Sequence, residues 1–246
     1  MLRRSLSYAK IVILRVKFEN LSAKLEKVLR QDLRLIRDFI NFVTKDRKIQ
    51  PTRRHQEMTQ QEDIKKAVEV MRKGGVILYP TDTVWGIGCD ATNAEAVAKV
   101  YKIKRRDDSK ALICLADSDV RIQRYVRNVP NVAWDLLEVS DKPTTVILDN
   151  AVNLAENLIA EDGSIAMRIT KEPFSKELCY RFQKPIVSTS ANISGEPAAQ
   201  NYCDISPELL EAVDYVCWTR RQEHKPHTPS SIIKITNEGV VTIIRK

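Results

Sequence analysis

The chain has 246 residues, five widely spaced cysteines and a formal net charge of +8 at pH 7. This length suits one large α/β domain with an appendage. The absence of a C-x-x-C pair excludes a disulfide framework, and no apolar run reaches the ~18 residues of a membrane span. A cytoplasmic protein with reduced thiols is therefore predicted, with the mitochondrion as an alternative because residues 1–18 are basic and free of acids.

The N-terminal segment, residues 1–57, is predicted to be a basic helical extension. It carries 15 Lys or Arg and 6 Asp or Glu, whereas residues 58–246 carry 25 and 26. Apolar residues recur every three or four positions from Leu21 to Val43, as in an amphipathic helix. Any nucleic-acid binding inferred from charge applies to this extension, since the main domain, residues 58–246, is nearly neutral.

Helical and extended patterns alternate along residues 58–246. A helical stripe from Ile64 to Met71 ends at Gly74 and Gly75, and a buried strand follows at Val76–Tyr79. Thr92–Glu95 has the pattern of a capping box for a helix that ends near Lys104. Further strands are predicted at residues 111–115, 145–148, 164–169, 185–188, 231–235 and 240–244. The fold class is mixed α/β with a twisted sheet.

A segment from Tyr79 to Asp90 places small hydroxyls and a rigid turn directly after a strand. Pro80 fixes φ, and Gly86 and Gly88 would let the backbone approach a ligand closely. This arrangement predicts a ligand cleft; the alternative is a buried turn that needs no ligand.

Cations and hydroxyls follow other predicted elements. Lys104, Arg105, Arg106 and Lys110 lie at and beyond a helix C-terminus, where they either complement the helix dipole or clamp phosphates. Arg168 shares the less apolar face of its strand with Ser164, as in a surface strand or a carboxylate site. Residues 188–192 alternate Ser, Ser and Asn, which suits an anion or sugar site or a serine-rich turn.

Histidine is scarce, and no nucleophile motif, P-loop or G-x-G-x-x-G is present, so a triad enzyme is not expected. His224, His227 and Cys217 are better explained by a polar loop than by a metal site. No protein metal ligands are predicted.

Four motifs in the chain resemble the threonylcarbamoyl-AMP synthase (YrdC/TsaC-like) family, over about residues 62–246. They are Tyr79-Pro-Thr-Asp-Thr-Val-Trp-Gly-Ile-Gly88, Lys104-Arg-Arg106, Ser164-Ile-Ala-Met-Arg168 and Pro185-Ile-Val-Ser-Thr-Ser-Ala-Asn-Ile-Ser-Gly195. The resemblance implies a single YrdC-like domain. It also implies that L-threonine, bicarbonate and ATP give threonylcarbamoyl-AMP and pyrophosphate, that Mg²⁺ is bound through the phosphates, and that a transferase complex then modifies tRNA.

The resemblance also implies roles for residues that match the motifs. Thr83, Arg168 and Ser188 would bind L-threonine. ATP would be bound by Arg106, Lys110, Ser164, Ser190, Asn192 and Arg245. Lys104 and Arg106 match the family's Lys-x-Arg pair and are the candidate catalytic residues.

Two other functions fit a chain of this kind. One is a non-catalytic YrdC-like protein that binds transfer, ribosomal or other double-stranded RNA through its extension and basic cleft. The other is a carbamoyl-transfer domain of hydrogenase maturation, which normally comes with further domains.

Overall fold

The computed structural model describes residues 58–106, 112–224 and 228–246, so the predicted helix in residues 1–57 lies outside the described residues. Nine strands in the described part form one mixed sheet with the order β7-β1-β2-β6-β3-β5-β4-β8-β9. The strands are β1 (Ile77–Tyr79), β2 (Gly86–Gly88), β3 (Ile113–Ala116), β4 (Thr144–Leu148), β5 (Ile165–Ile169), β6 (Ile186–Ser190), β7 (Tyr215–Val216), β8 (Ser231–Ile235) and β9 (Val241–Arg245).

Helices flank this sheet. The α-helices are α1 (Gln60–Arg72), α2 (Ala94–Lys104), α3 (Asp119–Gln123), α4 (Asn131–Val139), α5 (Pro173–Phe182) and α6 (Pro207–Ala212). Short 3₁₀ turns occur at Glu156–Leu158 and Tyr202–Asp204. None of the helices in the described residues is both long and apolar enough to cross a membrane.

Alternation along the strands sends neighbouring side chains to opposite faces of the sheet. In β1, Ile77 and Tyr79 pack with the apolar faces of α1 and α5, whereas Leu78 packs into a larger cluster on the other face. In β6, Ile186 faces the two helices and Val187 joins the larger cluster. The sheet therefore separates two apolar cores.

Gly88 allows close packing within the sheet. A Cβ atom on Gly88 would lie 2.5 Å from the carbonyl oxygen of Val187 and 2.6 Å from Cε1 of Tyr79. The prediction that Gly88 admits a ligand is therefore wrong, because the neighbouring strand and the Tyr79 ring fill that space. Gly86 does line a cleft, as described below.

The N-terminus of α2 differs from the predicted capping box. Asn93 is the N-cap, and its Oδ1 accepts hydrogen bonds from the backbone N–H groups of Glu95 and Ala96. The Thr92 hydroxyl instead donates to Asp90 Oδ1 over 2.7 Å. A competing local acceptor thus draws Thr92 away from the helix end and leaves the cap to its neighbour.

Most predicted strands occur within two residues of their expected ends, and α1 ends before Gly74 as predicted. The expected alternation of strand and helix fails where β4 and β5 are joined by a 3₁₀ turn. β8 and β9, predicted as consecutive strands, form a hairpin. The sequence analysis also missed β2, β7 and helices α3 to α6, most of which are short.

Asp63 ties the start of the domain to the segment after β7. Its side chain is fully buried and accepts hydrogen bonds from the Tyr215 hydroxyl (2.6 Å), the Trp218 N–H (2.9 Å) and the Thr219 N–H (2.7 Å). The Thr219 hydroxyl is a fourth donor, at 2.6 Å. A buried acceptor with four donors fixes two segments that are remote in sequence.

We expect Asp63→Ala to lower the free energy of unfolding by about 2–4 kcal/mol, because four part-buried donors lose their acceptor. Urea denaturation at unchanged m-value would measure the loss. Glu69→Ala, on the exposed face of the same helix, is the matched control and should change stability by less than about 0.5 kcal/mol. Equal effects of the two substitutions would contradict this account.

Candidate active site

A cleft of about 430 Å³ lies on the face of the sheet that α1 and α5 cover only in part. Along β3, Leu115 packs under the helices, and Ile113, two residues earlier on the same face, lines the cleft. In the strand register, Ile113 stands between Ala166 of β5 and Ser188 of β6. The floor of the cleft is therefore the uncovered continuation of a core-facing surface.

Thr83, Arg168 and Ser188, the residues expected to bind L-threonine, all line the cleft. Arg168 stands next to Leu115 in the register, at the border between the helix-covered core and the cleft. All three side chains are at least nine-tenths buried. The Thr83 Oγ1 atom lies 3.3 Å from the NH2 atom of Arg168, so a hydroxyl and a guanidinium converge there.

A carboxylate not assigned by the sequence analysis accompanies Arg168. Asp82 Oδ1 lies 2.9 Å from the Arg168 NH2 atom, and the two side chains are 10% and 3% exposed. Burial raises the pKa of Asp82, Arg168 opposes that rise, and the negative charge of Glu172 adds to it. The buried Nε atom of Arg168 has no hydrogen-bond partner in the described residues.

The buried side chain of Lys104 holds the Ser190–Asn192 loop. Its Nζ atom donates to the backbone oxygens of Ser190 (2.6 Å) and Asn192 (2.7 Å), and the side chain is 1% exposed. The Ser190 hydroxyl bonds to the Asn192 side chain. Ser190 and Asn192 line the cleft, and Lys104 holds the loop that presents them.

The four cations after α2 do not share one direction. Arg105 adopts a left-handed backbone conformation, with φ 49°, and its exposed side chain pairs with Glu208. Arg106 lines the cleft. Lys110 lies outside the described residues. Of the two alternatives left open for these cations, Arg105 therefore fits a helix-end residue rather than a phosphate clamp, since its side chain pairs with Glu208 and does not line the cleft.

Arg245 also lines the cleft. Its Nε donates to the backbone oxygen of Ser230 over 3.0 Å, and the Ser230 hydroxyl lies 2.9 Å from the Thr145 hydroxyl. Burial, followed by the positive charge of Arg168, lowers the pKa of Arg245. Arg106, Arg168 and Arg245 thus border the same cleft.

Ser164, predicted to bind ATP, is buried but does not line the cleft among the described residues. Its backbone N–H donates to Asp162 Oδ1 over 3.0 Å. The pKa of Asp162 falls to about 2, chiefly through hydrogen bonds from Lys234 and Ser164. Ser164 immediately precedes β5, so a ligand that contacts Ser164 would lie beyond the N-terminal end of that strand.

A second arginine system supports the Thr81–Thr83 turn and was missed by the sequence analysis. Arg220 NH1 donates to the backbone oxygen of Thr81 over 2.9 Å and lies 3.3 Å from Glu172 Oε1. Within the turn, the Thr83 N–H donates to the Thr81 hydroxyl over 3.0 Å. Arg220 follows no recognisable motif, and only the tertiary structure brings it to the turn.

The described residues contain no group of three or more His, Cys, Asp or Glu side chains that could hold a metal ion. Cys217 is buried and packs in the core with α1 and α5. His227 lies outside the described residues.

A protein-family model described as telomere recombination (Sua5_yciO_yrdC) matches residues 69–246, well over half of the chain. The chain belongs to the Sua5/YciO/YrdC family. The four motifs identified in the sequence lie within this match, and they supply most of the polar lining of the cleft.

Family members of similar sequence include proteins named threonylcarbamoyl-AMP synthase. The one from Pseudoalteromonas translucida is 35% identical over 161 residues, which is 64% of this chain and 86% of that protein. The one from Xanthomonas euvesicatoria is 36% identical over 162 residues, 65% of this chain and 87% of that protein.

Solved structures of the family share the fold. E. coli YciO has a TM-score of 0.67 at 25% identity, and the match covers 76% of this chain and 90% of YciO. P. abyssi Sua5 in complex with L-threonine has a TM-score of 0.68 at 21% identity, covering 76% of this chain. The chain spans just over half the length of the Sua5 chain, 54%.

Lys104 gives the site a testable pH dependence. Burial, followed by the positive charge of Arg106, lowers the pKa of Lys104 to about 8, against about 10.4 for an unperturbed lysine. Between these values the unfolded chain holds a proton that the folded chain has lost. The Lys104 contribution to the free energy of unfolding should therefore rise as the pH increases from about 8 to about 10.

Lys104→Met should abolish that rise, which urea denaturation at several pH values would measure. Lys102→Met, at an exposed position of the same helix, serves as the control and should keep the wild-type pH dependence. Parallel stability curves for wild type and Lys104→Met would contradict the assignment.

Proposed function

We propose that the protein is an L-threonylcarbamoyladenylate synthase, a nucleotidyltransferase that forms threonylcarbamoyl-AMP and pyrophosphate from L-threonine, bicarbonate and ATP. The observation that carries this proposal is the convergence of Arg106, Arg168 and Arg245 with Thr83 and Ser188 on one cleft. The names of the similar proteins support it. The product would serve threonylcarbamoyladenosine modification of tRNA.

The amino-acid end of the cleft would be the part around Arg168. A largely buried guanidinium that lines the cleft suits a carboxylate, because charged hydrogen bonds in a buried site are strong and directional. The hydroxyls of Thr83 and Ser188, which line the same cleft, could bond a small polar side chain. L-threonine carries both kinds of group.

The nucleotide would occupy the part of the cleft bordered by Arg106 and Arg245. Ser190, Asn192 and Ser230 offer hydroxyl and amide groups beside these two cations. Such an arrangement suits a polyphosphate, which arginine binds through paired hydrogen bonds. Lys110 and Ser164 stay predictions as ATP-binding residues, and so does Lys104 as a catalytic residue.

The proposed reaction requires no nucleophilic side chain. The neutral threonine amine forms a C–N bond with carbon dioxide, releasing a proton to solvent, or with bicarbonate, releasing water. An oxygen of the resulting carbamate then attacks the α-phosphate of ATP. The bond between the α- and β-phosphates breaks, and pyrophosphate leaves with its electron pair. The protein would act by positioning and charge stabilisation, which three arginines around one cleft can supply.

Magnesium would be held mainly by the nucleotide. Among the described residues, Glu196 is the one carboxylate that lines the cleft, too few for an all-protein magnesium site. This lining fits an ion that enters with ATP and neutralises phosphate charge.

We further infer that a transferase complex receives the product and that the protein acts in the cytoplasm. RNA binding through residues 1–57 stays a prediction, because the excess positive charge lies in that segment, outside the described residues.

The function can be tested by incubating the purified full chain with ATP, L-threonine and labelled bicarbonate. Pyrophosphate release should require all three substrates, and the label should enter threonylcarbamoyl-AMP. Arg168→Met should abolish the threonine-dependent release of pyrophosphate, since the carboxylate of threonine would lose its counterion. Release that is independent of threonine and bicarbonate would refute the proposed activity.

Neighbouring arginines provide a matched pair for the nucleotide end. Arg106→Ala should raise the KM for ATP about 10- to 100-fold, the range expected when one charged hydrogen-bonding partner is lost. Arg105→Ala removes the same charge one residue away, from a side chain that is 65% exposed and pairs with Glu208, and should leave the KM nearly unchanged. Steady-state kinetics at fixed threonine would compare the two, and equal changes would contradict the role of Arg106.

A further inference from the structure

The outermost strand of the sheet, β9, carries a concentration of exposed apolar side chains. Half of the eight large apolar side chains that are exposed in the described residues lie in residues 240–244. These four are Val240, Val241, Ile243 and Ile244, and each is 43–58% exposed. Contiguous apolar surface of this kind marks interaction sites more often than scattered apolar residues do.

The backbone of β9 is also open on one side. β9 is the last strand in the sheet order, and among the described strands it pairs with β8 alone. The N–H of Thr236 donates to the carbonyl oxygen of Val240, so the backbone of Val240 faces β8. Backbone groups alternate in an antiparallel pair, so those of Val241 and Ile243 point away from β8. Free N–H and C=O groups at an edge form a template for another strand.

The edge lacks the usual protection against such pairing. Exposed edge strands commonly carry lysine or proline, or are interrupted by a bulge. Residues 240–244 contain no charged residue and no proline. The irregularity in the pairing of β8 with β9 lies between Ile232 and Ile233, toward the end of β9, and leaves residues 241–243 in regular register. At the other end of the sheet, β7 is only two residues long and is half-buried.

The sequence of β9 is complementary to itself in one antiparallel register. Pairing centred on Thr242 would place Val241 opposite Ile243 of a second copy, and Val240 opposite Ile244 of that copy. Val241 and Ile243 are the residues whose backbone groups point outward, so they would form the hydrogen-bonded pairs. The same register brings Glu238, in the hairpin turn, near Lys246 of the second copy, and opposite charges across strands are favourable.

We propose that the outer edge of β9 is a homodimer interface, at which two copies of the chain pair antiparallel about a two-fold axis at Thr242. The two nine-stranded sheets would thereby join into one. Such an interface is isologous, so it closes at two copies and forms no filament. Arg245, which lines the cleft, belongs to the same strand, so the interface would support a strand that carries one of the cleft cations. The proposal does not depend on the proposed function.

The competing explanation is that β9 is merely adhesive and associates through its apolar side chains without a defined partner or register. In that case association would continue beyond two copies and would be insensitive to the pairing of charges. The two explanations therefore differ in the size of the assembly and in its response to charge reversal.

Sedimentation velocity on the full chain at about 1–100 μM, where small interfaces associate, tests the assembly directly. The mass should rise from 28.1 kDa to twice that value and no further. Replacing both Val241→Lys and Ile243→Lys should raise the dissociation constant at least about 10-fold, because like charges would stand opposite each other. Both side chains are exposed in the single chain, so the fold should tolerate the change, which circular dichroism would verify.

Val120→Lys is the matched control. Val120 lies in α3 and is as exposed as the residues of β9, so its replacement removes apolar surface and adds charge away from the edge. It should leave the dissociation constant unchanged. A chain that stays monomeric throughout, a mass that exceeds twice 28.1 kDa, or a dimer that survives the two lysines would each overturn the proposal.

A charge reversal tests the register, even if the lysine variant of β9 does not fold. Glu238→Lys alone and Lys246→Glu alone should each raise the dissociation constant about 3- to 10-fold, as expected when an exposed attraction becomes a repulsion. The two changes together should restore it to within about 2-fold of wild type, since the pair is re-formed with its charges exchanged. Additive loss in the double variant would overturn the pairing about Thr242.

Discussion

A buried positive charge in the face of the sheet is the constraint around which the candidate site is organised. Arg168 stands in β5 where its neighbours on the same face are apolar or small, and a guanidinium at that depth needs a counterion. Asp82 supplies it from the turn after β1. Arg220 holds this turn through a hydrogen bond to the Thr81 carbonyl, and the hydroxyls of Thr81 and Thr83 hydrogen-bond to each other within it. A chain of polar contacts therefore fixes the end of the cleft where an amino acid would bind.

The other end depends on a lysine that does not face the ligand. Lys104 donates to two backbone oxygens of the Ser190–Asn192 loop, so the last residue of α2 determines how that loop enters the cleft. The next residue, Arg105, ends the helix in a left-handed conformation, and Arg106 follows beside the cleft. Three consecutive cations thus perform three different tasks: loop support, helix termination and cleft lining.

Local pattern predicted a large part of this arrangement. The two-residue period of β5 was sufficient to place Arg168 on the less apolar face, and the glycine pair after α1 was sufficient to end that helix. The sequence could not reveal that Lys104 is buried and donates to the Ser190 and Asn192 carbonyls. Helical spacing does not tell which loop packs against the end of a helix. Asp82 and Arg220 were missed for the same reason, since their partners are 86 and 139 residues away in the chain. Gly88 was misassigned because a missing side chain can serve a strand as well as a ligand.

The separation of the two apolar cores by the sheet has an evolutionary consequence. Ile113, Ala166 and Ser188 belong to the cleft, while their neighbours Cys114, Ile165, Met167 and Val187 pack in the larger core. Exchanges among the three would alter the volume and polarity of the cleft and leave the main packing intact. A scaffold of this kind can acquire a different preference among small acids while it keeps its stability.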